Sequence, residues 1–159
     1  MTDRYDMNDP EEQDAAELYK LGTEALEAKN YALAQQYLGA ALRSERSPDH
    51  LSQYALALAY NKRDAKTSIS MCQEAIKQAP RNPEHFLRLG LIYLIARRRK
   101  DAIRVFRLGL RVGKHPTITR WLQVLGHREN PIIPFLSRSN PLNKYLGMMR
   151  GNLLKKKPG

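Results

Sequence analysis

The chain is poor in the residues that carry covalent or metal chemistry. Its one cysteine, Cys72, can form no internal disulfide, and nothing points to an oxidising compartment. The four histidines, His50, His85, His115 and His127, stand far apart without ligand-like spacing, which argues against a metal centre. No glycine-rich phosphate loop or strand-borne nucleotide fingerprint occurs. No apolar run approaches the roughly 20 residues of a membrane-spanning helix. The first residues are acidic and polar, where a secretory signal would be basic and then apolar. The carboxylates crowd into that N-terminal segment and offer no placed acid–base pair. These absences lead us to expect a soluble cytoplasmic protein that is not an enzyme and needs no cofactor.

What is present is a chain of 159 residues with an apolar fraction of 42%, enough for one domain with a continuous core. Its charge is unevenly placed. Residues 1–80 hold 9 Lys/Arg and 13 Asp/Glu, whereas residues 81–159 hold 18 and 3. The net charge of +11 therefore hides an acidic end and a strongly basic one. Such asymmetry suits an anionic partner for the second half or self-association of opposite ends, and it also keeps a repeat protein in solution.

A period of 34 residues organises the middle of the chain. Phe86, Leu89-Gly90, Tyr93, Ala102 and Phe106 form one unit. A shift of 34 gives Ser52, Ala55-Leu56, Ala59, Ser68 and Cys72, and a second shift gives Leu18, Leu21-Gly22, Ala25, Ala34 and Leu38. Prolines mark the joints at Pro48, Pro80, Pro83 and Pro116. The spacing predicts a first helix over about 14–28, with Leu18, Leu21, Ala25 and Ala28 on one face. Its partner over about 32–44 turns Ala34, Leu38, Ala41 and Leu42 inward. Ser47-Pro48 and Asn82-Pro83 read as helix starts, cap residue followed by proline.

These residues resemble the tetratricopeptide repeat over roughly 15–116. The resemblance implies an all-α, right-handed solenoid of three helical hairpins, at about 15–48, 49–82 and 83–116, closed by a capping helix at 117–128. An acidic, mobile segment at 1–13 precedes them. A segment at 129–159 follows, with a short helix at 141–150 and a basic tail. Residues 131–149, beginning with the apolar stretch from Pro131 to Leu136, are expected to fold back on the last repeat or into the groove.

The resemblance also implies that the first helix of each hairpin lines a concave groove that binds a peptide or helix, making the chain a scaffolding module. A small secretion-type or assembly chaperone is an alternative. The groove residues expected to carry recognition are Tyr19, Lys20, Gln53, Tyr54, Asn61 and Arg88. Toward the third unit the groove rows become apolar, with Leu87, Leu91, Leu94, Ile95, Trp121, Leu122 and Leu125. The family's clamp for acidic chaperone C-termini falls at Tyr19, Thr23, Tyr54, Glu84 and Arg88 here. Of these only Arg88 keeps the required residue, so that partner class is not expected.

A basic stripe, Arg97, Lys100, Arg104, Arg107 and Arg111, follows helical spacing in the third unit. It reads as a solvated face, as a site for an acidic protein, or as a site for nucleic acid or anionic membrane. No aromatic residues are interleaved with it for base stacking. Head-to-tail self-association remains open beside these partners.

Overall fold

The computed structural model describes residues 14–126. The expected features at 1–13 and 129–159, including the fold-back of 131–149 and the helix at 141–150, lie outside the described residues, as do 127–128 of the expected capping helix. Seven helices are present among the described residues: α1 (Ala15–Glu27), α2 (Tyr31–Ser44), α3 (Pro48–Lys62), α4 (Ala65–Gln78), α5 (Pro83–Ile95), α6 (Arg99–Val112) and α7 (Pro116–Gly126). None is long and apolar enough to cross a membrane.

Local chemistry starts and stops these helices. The Asn30, Ser47, Asp64 and Asn82 side chains accept hydrogen bonds from backbone N–H groups in the first turns of α2, α3, α4 and α5. Pro48 and Pro83 occupy first helical positions, where the missing N–H costs nothing. The turn inside each hairpin depends on a left-handed residue. Lys29, Arg63 and Arg97, spaced by 34, have φ of 60°, 56° and 59°. Beyond two of them the chain closes back on the helix, Asn30 N–H to the Ala25 carbonyl and Arg98 N–H to the Tyr93 carbonyl, both at 2.8 Å.

Each helix packs on the next through α6, and α3 also touches α1 and α5, so the first helices of the hairpins share one layer. The apolar core follows the repeat. One cluster joins Ala34 and Leu38 of α2 to Ala25 of α1 and Ala57 of α3. A larger one runs from Ala55 and Leu56 through Cys72 to Phe86, Phe106 and Ile118.

Close approach within the hairpins depends on size at two matched positions. A Cβ at Gly22 would lie 2.5 Å from Leu38 Cγ, and one at Gly90 would lie 2.1 Å from Phe106 Cε1. Glycine there makes room for the large side chain on the second helix. The middle hairpin inverts the pair, with Leu56 on α3 and the small Cys72 on α4, both buried in one cluster. This inversion explains why the middle unit keeps the period but departs from the residue pattern.

The expected inward faces hold at five of eight positions. Leu18, Ala25, Ala34, Leu38 and Ala41 are buried, whereas Leu21 and Leu42 are half-buried and Ala28, just past α1, is exposed. The apolar rows of the third unit are less open than the sequence suggests. Leu87 is buried, and Leu91, Leu94, Ile95, Trp121, Leu122 and Leu125 are half-buried against the core. Part of that cover comes from α7, whose Trp121 ring stacks at 6.4 Å on Phe106.

Candidate functional site

The shared layer of α1, α3 and α5 presents two distinct regions. Toward the C-terminal ends of α1 and α3 lies an open depression of about 310 Å³. Leu26 and Leu56 provide its apolar part, Thr23 and Gln53 its polar part, and Glu27 and Lys29 opposite charges. Tyr31 and Tyr60 also line it, their rings stacked 4.5 Å apart and 7° from parallel. Burial, and secondarily Tyr31, pushes the Tyr60 phenol above its usual range, so it stays a neutral hydrogen-bonding group.

Toward the N-terminal ends of the same helices the side chains are tied into a polar network centred on Arg88. Its guanidinium donates to Ser52 Oγ at 2.7 Å, to the Tyr19 hydroxyl at 3.1 Å and to Asp49 Oδ1 at 3.3 Å. Glu84 Oε2 stands 3.9 Å away and His115 Nε2 contacts Glu84 Oε1 at 3.1 Å. Ser52 Oγ lies 2.9 Å from His85 Nδ1, and the Asn82 side-chain nitrogen approaches His85 Nε2 at 3.4 Å. Because the Asn82 amide oxygen accepts from the Glu84 N–H, its nitrogen is the group turned to the ring. That assigns Nε2 as acceptor and Nδ1–H as donor to Ser52, whose own hydroxyl donates to the Asp49 carbonyl at 3.3 Å. Burial and then the neighbouring Arg88 charge hold His85 below its ordinary pKa, consistent with a neutral ring.

The six residues singled out from the sequence fall into separate groups. Tyr19 and Arg88 meet in the polar network, where Arg88 is only 8% exposed. Gln53, 7% exposed, donates to Thr23 Oγ1 at 3.3 Å and borders the depression. Tyr54 and Asn61 instead meet α2, both through Gln35: its amide nitrogen reaches the Tyr54 hydroxyl at 3.5 Å, and Asn61 donates to its oxygen at 2.6 Å. Lys20 is exposed. The stripe residues Arg97, Lys100, Arg104, Arg107 and Arg111 are all exposed as well.

The depression adds Leu26, Tyr31, Leu56 and Tyr60, which are not among the six expected recognition residues. Tyr60 and Leu26 share a groove row at the 34-residue phase, so a signal was present. Tyr31 begins α2 and lies on no first-helix row; its stacking follows from the turn at Lys29, whose left-handed backbone no glycine or asparagine announces.

No protein-family model matches the chain, and no curated protein matches it. Solved structures do. The tetratricopeptide domain of Sgt2 from Aspergillus fumigatus is 18% identical with a TM-score of 0.59, covering 91% of this chain and 85% of that one. The fold is that of the tetratricopeptide repeat. The tetratricopeptide domain of Arabidopsis OM64 superposes with a TM-score of 0.58 at 18% identity, over 72% of this chain and 96% of that one. The first tetratricopeptide domain of Spaghetti (RPAP3), solved with the HSP90 peptide SRMEEVD, matches 72% of this chain and 91% of its own at 16% identity and a TM-score of 0.58. Arg88, expected from the sequence resemblance at a clamp position, is already engaged by Ser52, Tyr19, Asp49 and Glu84.

Proposed function

We propose that the chain is a protein-interaction module that holds a peptide or short helix in the groove formed by α1, α3 and α5. The observation that carries this reading is the depression between α1 and α3. Apolar side chains, a stacked tyrosine pair and a few polar groups converge there around a space suited to one large side chain of a ligand. The partner's anchor is an apolar or aromatic residue entering between Leu26, Leu56 and Tyr60, with its backbone near Gln53 and Thr23. Recognition of an acidic C-terminus is disfavoured, because a carboxylate reaching Arg88 would compete with Asp49 and Glu84 for an already neutralised, buried guanidinium.

Selection of a random peptide library against the full chain tests this. Selected peptides are expected to share an aromatic or large aliphatic anchor and to lose about tenfold in affinity or more with Tyr60→Ala. The peptide SRMEEVD is expected not to bind. Tight binding of SRMEEVD, or peptides whose affinity ignores Tyr60→Ala, would overturn the reading.

A further inference from the structure

The largest charged feature of the described chain that the groove does not use is the outer face of α6. Lys100, Arg104, Arg107 and Arg111 are all exposed, on the side opposite the buried Ala102, Val105, Phe106 and Gly109. At 1.5 Å per residue they form a row roughly 17 Å long. Arg97 precedes the row in the turn and Lys114 follows it. Asp101 holds Arg98 at 2.9 Å and Arg104 at 3.7 Å. Among the described residues, Lys100, Arg107 and Arg111 form no ion pair.

The repeat supplies an internal control. A shift of 34 places the four positions of the row at Lys66, Ser70, Gln73 and Lys77 in α4. A second shift places them at Ala32, Gln36, Gly39 and Arg43 in α2. The same structural positions hold four cations in the third hairpin, two in the second and one in the first. Gly39 is buried beside Tyr54, so the second hairpin, whose four positions are all exposed, is the fair comparison, and it does without the full row. Leu108, 41% exposed, lies on the shoulder of the stripe next to Arg104 and Arg111; its equivalents are Glu74 and Ala40. The third hairpin thus combines a dense guanidinium row with an uncovered apolar side chain, and neither of the other hairpins does.

The chemistry of this face separates the candidate partners. A nucleic-acid strand would leave Leu108 against phosphates, and the face offers no aromatic ring for bases to stack on. A membrane surface takes up a helix through its apolar side, but that side of α6 is the hairpin core. Carboxylates match the row best, since guanidinium groups bind them in two-pronged fashion and arginine outnumbers lysine here. An apolar residue flanked by carboxylates would cover Leu108 and exclude water from the pairs. We propose that the outer face of α6 docks an acidic helical segment of another protein, with carboxylates along one face and an apolar residue on their flank. This site is independent of the groove and can be filled while the groove is occupied.

The test titrates the full chain with two synthetic helical peptides of about 14 residues. One carries glutamates at successive helical turns with a leucine beside them; the other has the same composition in scrambled order. The ordered peptide is expected to bind at least about tenfold more tightly than the scrambled one, and both to weaken in high salt. Arg107→Glu with Arg111→Glu is expected to abolish that preference. A matching peptide with two lysines opposite these positions restores it, which shows that the variant is folded. Leu108→Ser should weaken the ordered peptide several-fold, about as expected for one apolar contact. Equal binding of the two peptides, no binding, or no rescue by the lysine peptide would overturn the proposal. So would arginine-dependent binding of a DNA duplex or of phosphatidylserine vesicles, or arginine-dependent self-association, tighter than that of the ordered peptide.

Discussion

Ser68 occupies the position filled by Ala34 and Ala102 in the other hairpins, and all three are fully buried. Its hydroxyl has no hydrogen-bond partner. A buried hydroxyl without a partner costs free energy relative to a methyl group in the same place. Ser68→Ala is therefore expected to raise unfolding stability by about 1 kcal/mol, read as a higher urea midpoint at unchanged slope. Four residues on, Cys72 fills the core opposite this helix's partner. Burial pushes its thiol up to about 12, only partly offset by Arg88. The thiolate that alkylating reagents require is thus scarce at neutral pH. The folded chain is expected to resist iodoacetamide at neutral pH and to react fully once denaturant exposes the thiol. Fast alkylation of the folded chain would mean that α4 opens far more readily than its packing suggests.

Among the described residues, helix order and number were legible in the sequence because hairpin packing imposes a period. Small residues recur where two helices approach, as at Ala34 and Ala102, and cap residues recur at the joints. The middle hairpin was less legible because Leu56 and Cys72 exchange the large and small roles of Gly90 and Phe106. Such an exchange preserves volume but not the pattern. The first turn's place was legible, between the helices expected at 14–28 and 32–44, but the backbone of the turns was not. Lys29, Arg63 and Arg97 take a left-handed backbone that glycine adopts at no steric cost and L side chains adopt at roughly 1–2 kcal/mol. Lys29→Gly and Arg63→Gly are expected to stabilise the chain by about 0.5–1 kcal/mol each, the relief being reduced by glycine's greater freedom when unfolded. Thermal unfolding of the two variants measures this directly. An equal-sized loss would show that the lysine and arginine side chains hold the turns by contacts of their own.

Across the whole stack, Arg88 joins side chains from all three hairpins: Tyr19 in the first, Ser52 and Asp49 in the second, Glu84 in the third. Its row in the groove was readable from the repeat phase, but its occupancy was not. Phase assigns a residue to a face, whereas the partners that neutralise it come from elements 39 and 69 residues away in sequence. The same network makes stability depend on pH through His85. Burial and Arg88 favour its neutral form when folded, and Asp49 and Glu84 oppose them in part. The unfolded chain takes up this proton near the ordinary value of 6.5, and the folded chain takes it up only at lower pH. Between those two values the unfolded state binds more protons, so stability is complete above 6.5 and falls as the pH drops below it. A charged ring would also turn a second N–H toward the Asn82 amide nitrogen and place a cation beside Arg88. The melting temperature is therefore expected to fall between pH 7.5 and pH 5, before most carboxylates titrate. The informative quantity is the difference from His85→Gln, which keeps a donor for Ser52 but cannot take up a proton. The variant should be less stable at pH 7.5 and should show a shallower decline on acidification. Parallel curves for the two proteins would place the acid sensitivity elsewhere and leave the Arg88 network as a pH-independent brace of the three hairpins.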